Sequence, residues 1–411
     1  MRTSRVGPAA TPPSSSGALL DAWAEACQAT VEGLSALVGV SLVRSPAALL
    51  AVPAQLAQLV TRRRPCWSSP HKVVFEAPLA RLRDFSAPAA APVVPTLVLP
   101  PQAGHDSCIV DYSPAQSQMR AIVSSGLERA LALDWRGATS ATAHATVEDY
   151  FEVVDRAVEH CGGRVNLIGD CQGGWLATIY AALAPERVNT LTIAGAPINF
   201  HLGEPIIGEM VKRLAPGGDL SFYRWLVASA GGVLRGRHML AGFVFINPRD
   251  EVARQFEVLR NLHDPGYLAR YTEFEDWFKH TQDIPGAFFL WIVEHLFRDN
   301  ELVRGTLRVA ERKVDLTAID MPLCMLGGAK DHITPPEQVF ALADHTATAP
   351  ELVTRDVTTG GHLGLFMGRD ALQRHWPRLL AQVLSHSEPS GLATSSRRPR
   401  PPQPPRRARQ A

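Results

Sequence analysis

The sequence has no long apolar run and no excess of charge of either sign. None of its apolar stretches approaches the roughly 18 consecutive residues that a membrane-spanning helix needs. Lysine and arginine number 41 against 40 aspartate and glutamate, so the formal net charge is +1 and the positive field of a nucleic-acid-binding protein is lacking. We therefore expect neither a membrane span nor a nucleic-acid partner.

Cysteine is scarce and is not arranged for metal or redox chemistry. The chain has six cysteines, and no two of them form a C-x-x-C pair, so no metal site is expected. Residues 1–17 are polar and do not contain the apolar stretch of a secretory signal. We therefore expect a cytoplasmic protein whose thiols stay reduced, most of them as small buried side chains.

The composition divides the chain into one large domain with extensions. Residues 1–17 and 386–411 are rich in proline and serine, with many arginines in the second segment, so we expect both to be disordered. Residues 18–70 carry apolar side chains at helical spacing, which predicts an N-terminal helical region that either packs on the main domain or docks a partner. Residues 71–385 form the predicted main domain, and with 46% apolar residues overall a sizeable core is expected.

Apolar strands alternate with helices through the main domain. The predicted strands are 73–75, 79–85, 93–99, 131–135, 164–168, 190–193, 322–326 and 351–357. The predicted helices are 147–160, preceded by Thr146, and 172–183, 336–343 and 370–384. This alternation is typical of an α/β fold with a mostly parallel sheet and helices on both faces. It is interrupted at about 197–315 by a helical stretch, which predicts a cap over an active site.

The strongest local motif lies between a predicted strand and a predicted helix. Residues 169–174 read G-D-C-Q-G-G. So tight a turn holds its central residue, Cys171, in a strained backbone conformation, and Gly169 and Gly173 leave room for the close approach of strand and helix. The thiol is thereby exposed at the end of the strand, beside a helix N-terminus that favours the thiolate. Cys171 is the candidate nucleophile.

A nucleophile needs a base, and the base needs an acid that orients it. Asp331 follows the predicted strand 322–326, and His362, flanked by glycines, follows the strand 351–357. The order nucleophile, acid, histidine is that of the α/β-hydrolase fold. His332, next to Asp331, is the competing base, but this fold places its histidine after the last strand, which favours His362.

These residues together predict acyl chemistry. His362 would take the proton of Cys171, and the thiolate would attack an acyl carbonyl. The oxyanion would be bound by the backbone N–H of Gln172 and by a second N–H from the loop after strand 93–99, around Gln102 and Ala103. A thiolate that attacks a thioester makes another thioester, so cysteine favours acyl transfer from a donor such as an acyl-coenzyme A.

At these motifs the sequence resembles the polyhydroxyalkanoate synthases, also called poly(3-hydroxybutyrate) polymerases, from about residue 72 to residue 384. The matching segments are 96–101, 132–135 (A-L-D-W), 146–150 (T-V-E-D-Y), 166–174, 195–200 (G-A-P-I-N-F), 285–291 (P-G-A-F-F-L-W), 299–302 (D-N-E-L), 330–333 (K-D-H-I) and 361–362. The chain is shorter than the large single-subunit synthases, its N-terminal region is brief and its cap matches only loosely.

The resemblance implies an α/β-hydrolase fold and a Cys-His-Asp site that polymerises (R)-3-hydroxyacyl-CoA. Coenzyme A is the leaving group of the substrate, and no cofactor is implied. In the family the aspartate is also held to help activate the 3-hydroxyl of the incoming unit, so a second role for Asp331 is expected. Partners implied by the resemblance are the hydroxyacyl-CoA substrate, the surface of polyester granules and a second copy of the chain in a homo-oligomer.

Two other functions fit the same residues. A cysteine-nucleophile hydrolase (a thioesterase, an esterase or a polyhydroxyalkanoate depolymerase) would use the same triad, because water access under the cap decides between transfer and hydrolysis. A non-catalytic granule-associated or scaffold protein would use the N-terminal helices for docking and would not need a reactive thiol at Cys171.

Overall fold

A computed structural model describes residues 63–387 except 89, 91, 204–205, 247–252, 255, 259 and 262–263. The segments predicted to be disordered, 1–17 and 388–411, and most of the predicted N-terminal helical region lie outside the described residues. Residues 63–70 are described, and they are not helical. Pro65 and Pro70 disfavour a helix there, and Ser69 instead bonds through its N–H and hydroxyl to Asp111.

Eight strands form one central sheet. They are β1 Lys72–Glu76, β2 Ala80–Asp84, β3 Thr96–Leu99, β4 Ala130–Trp135, β5 Val165–Asp170, β6 Val188–Ala194, β7 Leu323–Gly328 and β8 Val353–Thr358. Their order across the sheet is β1-β2-β4-β3-β5-β6-β7-β8. The pairs β1–β2 and β2–β4 are antiparallel, and all the others are parallel. The predicted α/β-hydrolase fold is thus confirmed.

The central strands are apolar because both of their faces are covered. In β5, Leu167 belongs to one buried cluster and Ile168 to the other, as the alternation of side chains along a strand requires. Helices α1 Gln118–Ser124 and α13 Trp376–Ser385 cover one face, while α2 Val147–His160 and α3 Gln172–Leu183 cover the other. The remaining helices of the domain are α10 Pro336–Phe340, α11 Leu342–His345 and α12 Gly364–Met367.

The chain between β6 and β7 forms the helical cap. Its helices are α4 Ile206–Leu214, α5 Ser221–Ser229, α6 Gly236–Ile246, α7 Pro265–Phe278, α8 Gly286–Trp291 and α9 Glu301–Arg304, with a π-helical turn at Ile292–Arg298. The ring of Phe288 stacks on Tyr150 of α2 with centroids 3.9 Å apart, so the cap packs on the main domain. In the described part of the chain, no helix has the length and apolar character that crossing a membrane requires.

Candidate active site

The turn between β5 and α3 consists of Cys171 alone. Its backbone has φ 50° and ψ −116°, a conformation that L residues rarely adopt and that costs on the order of 1–3 kcal/mol. The N–H of Cys171 donates to Ala194 O (2.8 Å), and its carbonyl accepts from Gly174 N (2.9 Å). These two bonds hold the thiol at the C-terminal end of the sheet in spite of the strain.

Three glycines make this turn possible. A Cβ on Gly173 would lie 1.9 Å from Leu99 O, and one on Gly169 would lie 2.4 Å from Gly173 O. Both predicted turn glycines are therefore packed against backbone that cannot move aside. Gly174, which the sequence analysis did not single out, is equally confined, because its Cβ would lie 2.2 Å from that of Ala196.

The structure brings His362 and Asp331 into contact beside this turn. Nδ1–H of His362 donates to Asp331 Oδ2 (2.7 Å). The other oxygen, Oδ1, accepts from the N–H groups of Ile333 (2.9 Å) and Thr334 (2.8 Å). The carboxylate is thus fixed by backbone donors and orients the imidazole. His332, the competing base, is exposed.

The electrostatics of this site favour a charged imidazole. Burial of the ring by itself would lower the pKa of His362, but the neighbouring carboxylate of Asp331 and the thiol of Cys171 raise it well above its ordinary value. The Asp331 carboxylate, the His362 imidazole and the Cys171 thiol thus form an arrangement that can activate a nucleophile and then deliver a proton.

The loop after β3, where the second oxyanion donor was predicted, is held by buried contacts. The side chain of Gln102 donates to Tyr150 Oη (3.3 Å). His105 stacks on Trp277 with centroids 5.0 Å apart, and burial lowers its pKa to about 4, so this ring is neutral. The backbone of Gly104 accepts from Gln282 N (2.8 Å) of the cap. The cap therefore rests on the loop that contains Gln102 and Ala103.

One buried carboxyl in the site was missed by the sequence analysis. Asp170 is the last residue of β5 and has no exposed surface, and burial raises its pKa to about 8 although Gln118 and His362 act in the opposite direction. The sequence signal that could have revealed it was an acidic residue inside the G-x-C-x-G motif, at the end of a buried strand. An acidic side chain in such a place is rarely fully buried unless it has a partner.

In the described part of the chain, no three His, Cys, Asp or Glu side chains are grouped so that they could bind a metal ion.

Residues 83–394 match the family model described as "Protein of unknown function (DUF3141)". The chain belongs to this family. It is also similar to the poly(3-hydroxyalkanoate) polymerase subunit PhaC of Haloferax mediterranei (25% identity over 332 residues, 78% of this chain and 65% of that protein). The corresponding subunit of Allochromatium vinosum is 24% identical over 321 residues, which are 76% of this chain and 87% of that protein. The resemblance to polyhydroxyalkanoate synthases is therefore confirmed.

The chain spans 65% of the length of the Haloferax mediterranei subunit and 66% of that of Haloarcula marismortui. Among solved structures, it is similar to a monoacylglycerol lipase of Paleococcus ferrophilus (TM-score 0.46, 16% identity, 75% of this chain and 99% of that chain). A hydrolase of Pseudomonas aeruginosa has a TM-score of 0.42 at 18% identity, over 77% of this chain and 97% of that chain. The α/β-hydrolase fold itself is assigned from the strand order and the turn at Cys171.

Proposed function

We propose that this chain is an acyltransferase that polymerises (R)-3-hydroxyacyl-CoA into polyhydroxyalkanoate through a thioester on Cys171, with release of coenzyme A. The observation that carries the proposal is a cysteine on the strained turn between β5 and α3, next to a histidine bonded to a buried aspartate. The similarity to polymerase subunits supports the substrate class.

The first half-reaction loads the acyl group. The Cys171 thiolate attacks the thioester carbonyl of hydroxyacyl-CoA, and the N–H of Gln172 together with an N–H of the Gln102–Ala103 segment stabilises the oxyanion. The bond from the carbonyl carbon to the coenzyme A sulfur then breaks, and the His362 imidazolium gives its proton to that sulfur. Free coenzyme A leaves, and the acyl group stays on Cys171 as a thioester.

The second half-reaction transfers the acyl group to an alcohol. The 3-hydroxyl of another hydroxyacyl unit attacks the Cys171 thioester while His362 takes the hydroxyl proton. An ester forms, and Cys171 leaves as the thiolate. Conversion of a thioester to an ester is favourable, which draws the polymerisation forward.

The contacts of Asp331 favour an orienting role over direct contact with the hydroxyl. One of its oxygens accepts from His362, and the other accepts from the N–H groups of Ile333 and Thr334. Its side chain is fully buried. The activation of the 3-hydroxyl that the resemblance implies for this aspartate would therefore act through His362.

The same proposal includes the setting of the enzyme. Hydroxyacyl-CoA is the substrate, the product is a polyester, and the protein acts in the cytoplasm at the surface of polyester granules as a homo-oligomer. The similarity to polymerase subunits supports the substrate and the product in this proposal.

The test is to incubate the purified full chain with (R)-3-hydroxybutyryl-CoA and with longer (R)-3-hydroxyacyl-CoA thioesters, beside Cys171→Ala. Coenzyme A is followed with time, and the acyl product is analysed. We expect coenzyme A release together with insoluble polyester, both abolished in the variant. Release with only free hydroxy acid would assign a thioesterase instead. Equal release by both proteins, or none with any substrate, would contradict the proposal.

A further inference from the structure

A buried polar pair lies at the end of β5, directly before the nucleophile. The side chain of Asp170 points to the same sheet face as Ile168, two residues earlier, and this face is covered by α1 and α13. Nε2 of Gln118, the first residue of α1, donates to Asp170 Oδ1 (3.3 Å). Neither residue has any exposed surface.

Each member of this pair has an oxygen without a hydrogen-bond donor. Over the residues that the structure describes, Asp170 Oδ2 and Gln118 Oε1 are both buried, and no donor lies within hydrogen-bond distance of either. A buried acceptor without a donor loses the hydrogen bond that water would give it, and burying a carboxylate without a counterion is more unfavourable still. Because the two atoms belong to groups that are hydrogen-bonded to each other, one cause can explain both.

A single proton on Asp170 resolves both defects. A protonated carboxyl has one oxygen that accepts and one hydroxyl that donates, and a primary amide has the complementary set. When Gln118 Nε2 donates to Oδ1, a proton on Oδ2 can be donated to Gln118 Oε1. The result is an acid–amide pair with two hydrogen bonds and no net charge.

Among the residues that the structure describes, the side chains that influence the charge of Asp170 are those of Gln118 and His362. From α1 it meets the neutral amide of Gln118, and from the loop after β8 it is influenced by the His362 ring, which favours the carboxylate. Its neighbour along the chain is the Cys171 thiol. Burial outweighs the attraction of His362, so the pKa of Asp170 is raised to about 8.

We propose that Asp170 is held as a neutral carboxylic acid by its burial, with Gln118 as its hydrogen-bond partner, and acts as a positioning residue that keeps a second negative charge away from the Cys171 nucleophile. Its role in the reaction rests on the proposed function of Cys171, whereas its protonation state does not. A carboxylate at this point would repel both the thiolate and the oxyanion that forms during attack. The protonated pair removes that repulsion and joins α1 to the nucleophile turn.

The protonation state can be measured without any substrate. Infrared spectra of the full chain labelled with ¹³C-aspartate, wild type minus Asp170→Asn, report the carbonyl stretch of a protonated carboxyl. We expect this band at pH 7, and we expect it to disappear as the pH passes about 8. A difference spectrum that shows only carboxylate bands at pH 7 would overturn the inference.

A second measurement follows the effect of this group on the thiol. The rate at which iodoacetamide alkylates Cys171 is measured against pH by mass spectrometry of its peptide. In the wild type we expect the alkylation rate to change by about tenfold near pH 8, in addition to the change that the titration of the thiol itself causes. A tenfold change corresponds to an interaction between Asp170 and the thiol of about one pKa unit. Asp170→Asn, which keeps both hydrogen bonds, should leave the rate at pH 7 within about twofold and remove that change. A variant profile identical to the wild type at all pH values would contradict the proposal.

Gln118 provides the matched comparison. Gln118→Leu removes the amide that donates to Oδ1, so the infrared band should persist to a higher pH than in the wild type. Gln116→Leu removes a hydrogen bond to Met367 O (2.7 Å) two residues away without touching Asp170, and it should leave the transition at the wild-type pH. If the transition pH shifted equally in the two variants, Gln118 would have no specific effect on the protonation of Asp170. Because the infrared test does not use acyl chemistry, a protein that fails to transfer acyl groups would still show whether Asp170 is protonated.

Discussion

Both oxygens of Asp331 are engaged, one by His362 and one by two backbone N–H groups. This leaves the imidazole a single orientation, with Nε2 free to exchange a proton with Cys171. The site thus depends on the chemical identity of single atoms, because an amide in place of the carboxylate would present a donor to Nδ1–H and favour the wrong tautomer.

We therefore expect Asp331→Asn to lower the rate of coenzyme A release by about 10³- to 10⁴-fold, with little change in structure. The matched control is His332→Ala, at the exposed neighbouring residue, which should stay within about twofold of the wild type. Rates are measured on samples whose circular dichroism and melting temperature agree with the wild type. Similar losses in both variants would show that the rate of coenzyme A release depends on the conformation of the loop and not on the Asp331 carboxylate.

A pH dependence of stability follows from Asp170. Its pKa is about 8 in the folded protein against an ordinary 3.8, so between these values the folded state holds a proton that the unfolded chain releases. The stabilising contribution is complete below about pH 4 and is lost as the pH rises to about 8. The free energy of unfolding of the wild type should therefore fall relative to Asp170→Asn by up to about 1.4 kcal/mol per pH unit in this window. Reversible urea unfolding of both proteins measures the difference, and a constant difference from pH 5 to pH 8 would contradict it.

At the scale of elements, the contact of β3 with the start of α3 is what shapes the site. Since a Cβ on Gly173 would lie 1.9 Å from Leu99 O, the helix could approach the strand only if both backbones moved. The position of the thiol and that of the loop after β3 are therefore coupled through one glycine.

Gly173→Ala should lower the free energy of unfolding by at least about 2 kcal/mol and reduce coenzyme A release by more than about tenfold, because the added methyl group meets backbone. Gly242→Ala in α6 is the matched control, since among the described residues no atom lies within 4 Å of its added Cβ. That variant should be as stable as the wild type or more stable, because alanine favours a helix. Denaturant unfolding and the coenzyme A assay distinguish the two, and a neutral Gly173→Ala would contradict the tight turn.

The sequence predicted the strands and helices around the site more accurately than it predicted their first and last residues. Helix α3 begins and ends at the predicted residues 172 and 183, because a glycine-rich turn and an apolar run define both limits. The strand predicted from residue 93 begins only at Thr96, because Pro95 has no N–H to donate to the sheet. The predicted helix 336–343 is divided into α10 and α11. The Asp170–Gln118 pair could not be predicted, since its members are 52 residues apart and meet only through the order of the strands.

At the scale of the whole molecule, one segment joins the cap to the loops that follow β3 and β4. Residues 281–285 contact the loop after β3 through Gln282 N to Gly104 O (2.8 Å) and the loop after β4 through Ala138 N to Asp283 O (2.7 Å). The same segment pairs with Val233–Leu234 of the cap. The Asp283 carboxylate also binds Arg235 (2.7 Å) and the N–H of Gly236 (3.0 Å) at the start of α6.

Asp283→Ala should loosen this connection. Arg235 is 44% exposed, so solvent reduces the strength of the ion pair, and we expect a local loss of about 1 kcal/mol. Amide hydrogen exchange of Gln282 and Gly286 should become about fivefold faster, and the KM for hydroxyacyl-CoA should rise more than kcat changes. Asp219→Ala, at the exposed start of α5, is the control and should change neither quantity. Unchanged exchange in Asp283→Ala would show that the backbone bonds alone hold the cap.

The helical cap was predicted as an insertion over the site, but its internal arrangement was not. Its helices pack through scattered aromatic contacts, such as Tyr223 with Phe289, which arise from tertiary structure and leave no periodic pattern in the sequence. The positions of Cys171, Asp331 and His362 at one edge of the sheet were easier to predict, because each residue follows its own strand and parallel strands bring their C-terminal ends to one edge of the sheet.

A thioester on Cys171 can be detected by mass spectrometry of the peptide that contains this residue, after brief exposure of the full chain to (R)-3-hydroxybutyryl-CoA and acid quenching. We expect a hydroxybutyryl group on Cys171 that neutral hydroxylamine removes, as it does a thioester, and that is absent from Cys171→Ala. Coenzyme A release without an acyl group on Cys171, or with the acyl group on another residue, would contradict it.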